Sequence, residues 1–205
     1  MATKSLAEVP TIDCCLVTIE TTGGEFGFDT ANKIACEAQI ETEDAVKLIV
    51  KGILRAQKPE VSTYTGTDIT LTDNVFNPEL VKVLQGGTII YDQVDTDKIV
   101  GYTPPTVGSG EKGSTFTLHA YSAQYDTSGE IVQYEKMSFP HCTGVPVALN
   151  SEDGVFRAPE YTIRSRPASS ESPYTIDYVS TLPTLSDPTP EPEPEPEPGN
   201  GGGGG

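Results

Sequence analysis

Phe116-Thr117-Leu118-His119-Ala120-Tyr121, the turn Asp126-Thr127-Ser128-Gly129, and the run Ile131-Val132-Gln133-Tyr134-Glu135-Lys136-Met137-Ser138-Phe139 set the character of the chain. Phe116, Leu118 and Ala120 alternate with Thr117, His119 and Tyr121, a period of two that puts each set on its own face of a strand. Val132, Tyr134 and Lys136 share one face of the second run. The glycine-bearing turn between the runs makes them a hairpin. Residues 14–20 and 25–28 flank Gly23-Gly24 as another. Residues 161–164 and 174–179 give two more short strands, separated by the polar loop 167–173, and Asn150-Ser151-Glu152-Asp153-Gly154 reads as a turn. Residues 8–183 are therefore mostly β in pattern.

One helix is well marked. Asn77 is an N-cap residue, and Pro78 fits N1, where a missing N–H costs nothing. Glu79 complements the positive end of the helix dipole. Leu80, Val81, Val83 and Leu84 supply an apolar face, and Gly86-Gly87 suit a left-handed stop. Residues 43–58 carry two patterns at once. Val46, Ile49, Val50 and Ile53 have helical spacing, with Lys47, Lys51 and Arg55 recurring opposite them. Val46, Leu48, Val50 and Leu54 also fit a strand, and Gly52 weakens a helix. Residues 101–113 read as a long, breaker-rich loop, the kind that is functional, mobile or a tolerated insertion.

The charge excludes several partners. The chain has 205 residues, with 30 Asp and Glu against 13 Lys and Arg, a formal net charge of −17. Such an excess repels phosphate backbones and anionic membrane surfaces, so tight nucleic-acid binding and membrane binding are not expected. No apolar run approaches the ~18 residues of a membrane span. Residues 1–10 lack the apolar core of a signal peptide, which points to synthesis in a cytosol and reduced thiols. About 180 residues bury roughly 70% of the unfolded surface, so the core needs no metal or disulfide.

Enzyme signatures are absent from the sequence. It holds no G-x-S-x-G, no Walker loop, no H-E-x-x-H and no EF-hand spacing, and no catalytic residue or cofactor is expected. Gly108, Gly110 and Gly113 match G-x-G-x-x-G in letters only, because they lie in a Pro-rich loop that enters a strand. His119, in mid-strand, reads as a structural residue rather than a general base. Cys14, Cys36, His141 and Cys142 lack metal-ligand spacing, and Cys14 and Cys15, adjacent on a strand, would face opposite ways. Arg157, Arg164 and Arg166 read as ion-pair partners or a subunit contact. The last 22 residues, 184–205, form a Glu-Pro repeat closed by five glycines and carry five acids and no Lys or Arg. Alternating Pro and like charges predict an extended, disordered tail.

Two longer stretches resemble a known family. The run Thr65-Gly66-Thr67-Asp68-Ile69-Thr70-Leu71-Thr72-Asp73-Asn74-Val75-Phe76-Asn77-Pro78-Glu79-Leu80, ending Leu84-Gln85-Gly86-Gly87, resembles the strand, short helix and glycine pair of major tail tube proteins of long-tailed bacteriophages. Ser138-Phe139-Pro140-His141-Cys142-Thr143-Gly144, Phe156-Arg157-Ala158-Pro159-Glu160-Tyr161-Thr162-Ile163-Arg164-Ser165 and Pro173-Tyr174-Thr175-Ile176-Asp177-Tyr178-Val179 are similar to the C-terminal half of that group.

The resemblance implies a β-sandwich or partly closed barrel with one short flanking helix over residues 1–183, and it favours strand for residues 43–58. It further implies homohexameric rings stacked into a hollow tube, with open strand edges covered by neighbouring copies. Implied partners are a tape-measure protein, a tail terminator and tail-tip or initiator proteins. Double-stranded DNA would pass transiently along an acidic lumen without adhering. The implied location is the virion tail, preceded by the host bacterial cytoplasm. A capsid-decoration or surface-adhesion module, or the inner tube of a contractile injection apparatus, is the alternative.

Overall fold

The computed structural model describes residue 8, residues 10–95 and residues 98–185. The Glu-Pro and Gly stretch of the tail, residues 186–205, lies outside the described residues. Among the described residues are twelve strands and one helix. In chain order they are β1 (Thr11–Thr21), β2 (Gly24–Phe28), β3 (Ala31–Glu43), β4 (Val46–Val50), β5 (Ile53–Lys58), β6 (Val61–Asp73), α1 (Pro78–Gln85), β7 (Thr88–Tyr91), β8 (Ile99–Thr103), β9 (Phe116–Tyr125), β10 (Ile131–Gly144), β11 (Glu160–Ser165) and β12 (Thr175–Val179).

The main sheet runs β2-β1-β9-β10-β11-β6-β3, with β12 also paired to β10. The alternation read in the sequence decides its inner face. Val17 and Ile19 of β1, Phe116 and Leu118 of β9, Phe139 of β10, Tyr161 and Ile163 of β11, and Ile69 and Leu71 of β6 form one buried cluster. Phe28 at one end of the strand order and Ala31 at the other belong to that cluster, so the sheet curls around a single core. It does not close into a barrel, since β2 and β3 are not paired with each other.

Helix α1 covers the core as its cap predicts. The Asn77 side chain accepts from the N–H of Glu79 at 2.9 Å and of Leu80 at 3.2 Å, while Leu80, Val81 and Leu84 are buried. Its stop differs from the expected left-handed one: Gly86 has φ 84° and ψ −157°. The positive φ still asks for glycine, but the extended ψ feeds the chain directly into β7. The Gly86 carbonyl accepts a hydrogen bond at 2.7 Å from Tyr102 Oη on β8, which pins this exit.

The turn before the helix is equally specified. Asp73 Oδ1 accepts from the N–H of Val75 at 3.2 Å, and Asn74 donates to the Thr30 carbonyl from both its backbone and its side chain, each at 3.1 Å. These bonds tie the end of β6 to the start of β3. Along the other flank, β10 changes partner. Its residues 134–138 pair with β12, and its residues 142–144 pair with β11. The changeover falls at Pro140-His141, where the register against β9 shifts and His141 has φ 49°. Proline lacks a ladder donor, and a bulge is where a strand tolerates it.

One reading of the sequence needs correction, and the strand favoured for residues 43–58 needs refinement. Gly101-Tyr102-Thr103 are not loop but the end of β8, because β7 offers them a partner strand. The remaining loop, 104–115, packs on the helix: Ser114 N–H donates to the Val83 carbonyl at 2.9 Å, and Gly87 N–H donates to Glu111 Oε1 at 3.0 Å. Residues 43–58 are strand rather than helix, but as two strands. Lys51 and Gly52, with φ 48° and 79°, turn β4 back on β5.

Beyond β12 the chain returns towards β2. Pro183, Thr184 and Leu185 border a groove of about 430 Å³ together with Gly27 and Leu80. A Leu185 methyl takes the space that a side chain at position 27 would need.

The helix also lies close against β10. A Cβ added at Gly144 would stand 2.5 Å from Leu84 Cα and Cβ. Gly144→Val should therefore push α1 off the sheet and lower unfolding free energy by about 1–3 kcal/mol, measured by denaturant titration.

Candidate functional site

The residues singled out for chemistry do not converge. Cys142 is buried in the core, and burial pushes its thiol up to about 12. Cys14 is half-buried beside the core and Cys36 is exposed on β3. The His141 ring leaves this group and meets Glu171 Oε2 at 2.9 Å. No cluster of three or more His, Cys, Asp and Glu side chains able to hold a metal occurs among the described residues. Gly108, Gly110 and Gly113 fall in the loop between β8 and β9, with no helix after them.

Of Arg157, Arg164 and Arg166, only Arg166 is ion-paired among the described residues. Arg166 Nη2 lies 2.6 Å from Asp68 Oδ1, and its Nη1 donates to the Thr67 carbonyl at 3.2 Å, which clamps the end of β11 to β6. Arg157 stands over the Phe76 ring at 5.4 Å. Arg164 points outward on β11.

His119 deserves a chemical test because a serine and a carboxylate stand beside it. Its Nδ1 shares a hydrogen bond of 2.8 Å with Ser138 Oγ, and its Nε2 is 3.6 Å from Glu20 Oε2. Ser138 of β10 lies directly opposite His119 of β9, whereas Glu20 of β1 pairs with Thr117 and reaches the ring diagonally. The carboxylate lies beyond hydrogen-bond reach, so it does not fix the ring as an orienting acid must. The groove beside β2 takes Thr18 from this row of side chains, but neither His119 nor Ser138. The arrangement reads as structural. Burial, and then the Lys136 charge, hold the His119 pKa below its ordinary value, while Glu20 and Glu25 partly oppose them.

The surface with unmet needs is elsewhere. β3 and β6 each have 13 residues and pair from Ala31–Asp73 to Glu43–Val61, a ladder of about 43 Å at ~3.3 Å per residue. The buried positions of β6 stop at Gly66, and residues 61–65 are exposed. The ladder thus leaves the core and carries the β4–β5 hairpin at its tip. Every residue of β4 and β5 is exposed, including Val46, Leu48, Ile49, Val50, Ile53 and Leu54 at 42–64% of their full area. Ile40 and Val61 extend this apolar surface down the ladder. A two-stranded hairpin is at best marginally stable alone in water, so such a tip calls for a covering surface. Among the described residues, the outer edge of β3 also has no partner strand. Lys51 and Gly52 both take positive φ at the turn, and of the pair only Gly52 is a turn residue legible in the sequence.

No family model matches the chain. No curated protein matches it either. Among solved structures, a chain in the cryo-EM structure of the anti-feeding prophage (AFP) baseplate, 6-fold symmetrised, is 12% identical, with 88% of this chain and 98% of that chain covered. The TM-score is 0.32, a loose superposition. No helix among the described residues is long and apolar enough to cross a membrane.

The position of His119 has a consequence for stability against pH. A histidine whose folded pKa lies below the ordinary ~6.5 binds its proton more readily in the unfolded chain. Its contribution is complete above about pH 6.5 and is lost as pH falls to the lowered folded value. His119→Gln should therefore lose less stability than the wild type between neutral and mildly acidic pH, read from paired denaturant titrations.

Proposed function

We propose that this chain is a structural, non-enzymatic subunit that self-assembles as stacked hexameric rings, forming the hollow tube of a phage tail through which double-stranded DNA passes on ejection. The observation that carries this reading is the β3–β6 ladder, which runs past the core and holds an apolar hairpin in solvent beside an unpaired strand edge. Burial of a half-exposed aliphatic side chain returns of order 1 kcal/mol, so the eight on the arm provide a strong drive to associate. Open edges are satisfied most economically by copies of the same sheet.

The acid excess fits the cargo. Twenty-five acids face 13 bases outside the last 22 residues. A negative wall repels the duplex and lets it slide instead of holding it. In this reading residues 1–183 form the tube, and the tail, residues 184–205, lies on the exterior, where it does not obstruct passage. The partners are further copies of the chain, a tape-measure protein, a terminator and tail-tip proteins, within a virion tail.

Negative-stain microscopy of the concentrated full-length protein should show sixfold rings or hollow filaments. Monomers or trimers alone at every concentration would instead support a decoration or adhesion module. In assembled tubes a neutral or positive inner wall, seen by cryo-EM, would overturn the repulsive lumen.

A further inference from the structure

Ser180-Thr181-Leu182-Pro183-Thr184-Leu185 lead from the end of β12 to β2, an edge strand whose outer side has no partner among the described residues. None of these six residues takes part in a ladder or in a turn or loop backbone hydrogen bond among the described residues. Pro183 has no N–H to offer the edge of β2. Only Leu182 is half-buried, and the other five are exposed. The segment ends in a side-chain contact instead. Leu185 lies against Gly27, where an added Cβ would collide with a Leu185 methyl and stand 3.3 Å from the Thr18 methyl. Even in this seat Leu185 keeps 42% of its area in solvent.

The seat leaves one polar group unmet. Thr18, directly opposite Gly27 in the β1–β2 ladder, lines the same groove as Pro183, Thr184 and Leu185. It is 2% exposed, and its Oγ1 is buried without a hydrogen-bond partner. Such a hydroxyl costs free energy that water would return. Half-burial of one leucine is a small gain, and ordering six residues costs entropy. The seated and withdrawn states are therefore close in free energy. Phe26, Glu79 and Val83 line both this groove and a neighbouring one of about 440 Å³, so the two make a trough between β2 and α1 with Leu185 at its mouth.

We propose that residues 180–185 are a releasable strap, with Leu185 as an autoinhibitory plug for the trough between β2 and α1. Seated, the leucine keeps any other apolar side chain out of the space above Gly27. Withdrawn, it uncovers Gly27, lets water reach the Thr18 hydroxyl and widens the groove lined by Phe26, Leu80 and Val83. One seat serves either the chain's own leucine or a competitor, never both. A pull on the chain beyond Leu185 opens the trough, and a competitor in the trough frees that chain, because coupling between two sites is reciprocal. The strap belongs to the single chain and does not depend on the tube reading.

The test is methyl NMR on the unassembled full-length chain, with Leu, Ile, Val, Ala and Thr methyls labelled. In wild type a through-space contact should join Leu185 to the Thr18 methyl. Relaxation dispersion should show one shared exchange process at these two residues, with a withdrawn fraction of roughly 0.1–10%. Leu118 and Ile163, in the core, should show none. Gly27→Ala puts a methyl into the seat without forcing alanine to a positive φ, and should raise the withdrawn fraction at least about tenfold. Thr18→Val removes the unmet hydroxyl and should do the opposite, lowering that fraction at least about fivefold. Leu185→Asp should give Thr18 the chemical shift of the withdrawn state. Matched thermal melts would check that each variant folds. A seated Leu185 without exchange would be a fixed plug and would overturn the proposal, and so would a wild type that lacks the contact. A folded Gly27→Ala chain that keeps the contact, or a Thr18→Val chain that exchanges as much as wild type, would do the same. Should Gly27→Ala melt early, Leu185→Asp decides, and an unchanged Thr18 shift there would overturn the strap.

Discussion

Backbone hydrogen bonding between β3 and β6 outruns the apolar core beneath it. The ladder pairs all the way to Glu43–Val61, yet the buried positions of β6 end at Gly66. Everything at the exposed end depends on that mismatch. Strands of this length are stiff, so the ladder projects its tip, and a bare hairpin of aliphatic side chains results. A lone domain selected only for its own stability would gain by ending both strands near the core. The surplus length makes physical sense when another surface completes it. The near end of the ladder is fastened accordingly, by the Asp73-Asn74 turn, by the capped helix, and by the Arg166 clamp on Thr67 and Asp68.

The fold was legible wherever a local signal matched its tertiary surroundings. Phe116, Leu118 and Phe139 announced the inner face of β9 and β10, and Asn77-Pro78 announced the helix start. The hairpin at residues 46–58 was harder, because Lys47, Lys51 and Arg55 repeat every four residues while Val46, Leu48 and Val50 alternate. Both periods are present, and only the positive φ at Lys51 and Gly52 decides between them. β7 and the start of β8 escaped notice because each is short and marked by nothing local; Tyr102 is a strand residue through its pairing with Ile89 of β7. The bulge at Pro140-His141 had its proline in plain sight, but the exchange of strand partners there is a property of the whole sheet.

The candidate site was less legible, for a related reason. Sequence patterns reveal which residues share a face, but not which faces lack a cover. The aliphatic residues of β4 and β5 would look the same if packed in a core. His119 shows the opposite case: its partner Ser138 lies in the quoted hairpin, and the register made the pair inevitable.

The seating of Leu185 against Gly27 has a practical side. Because this residue occupies a site beside the edge strand β2, whatever follows it in the chain inherits a defined point of departure. An enzyme or epitope fused behind the five glycines would be paid out from the flank remote from the arm. In the tube proposed above, such passengers would recur at regular spacing, clear of the apolar arm.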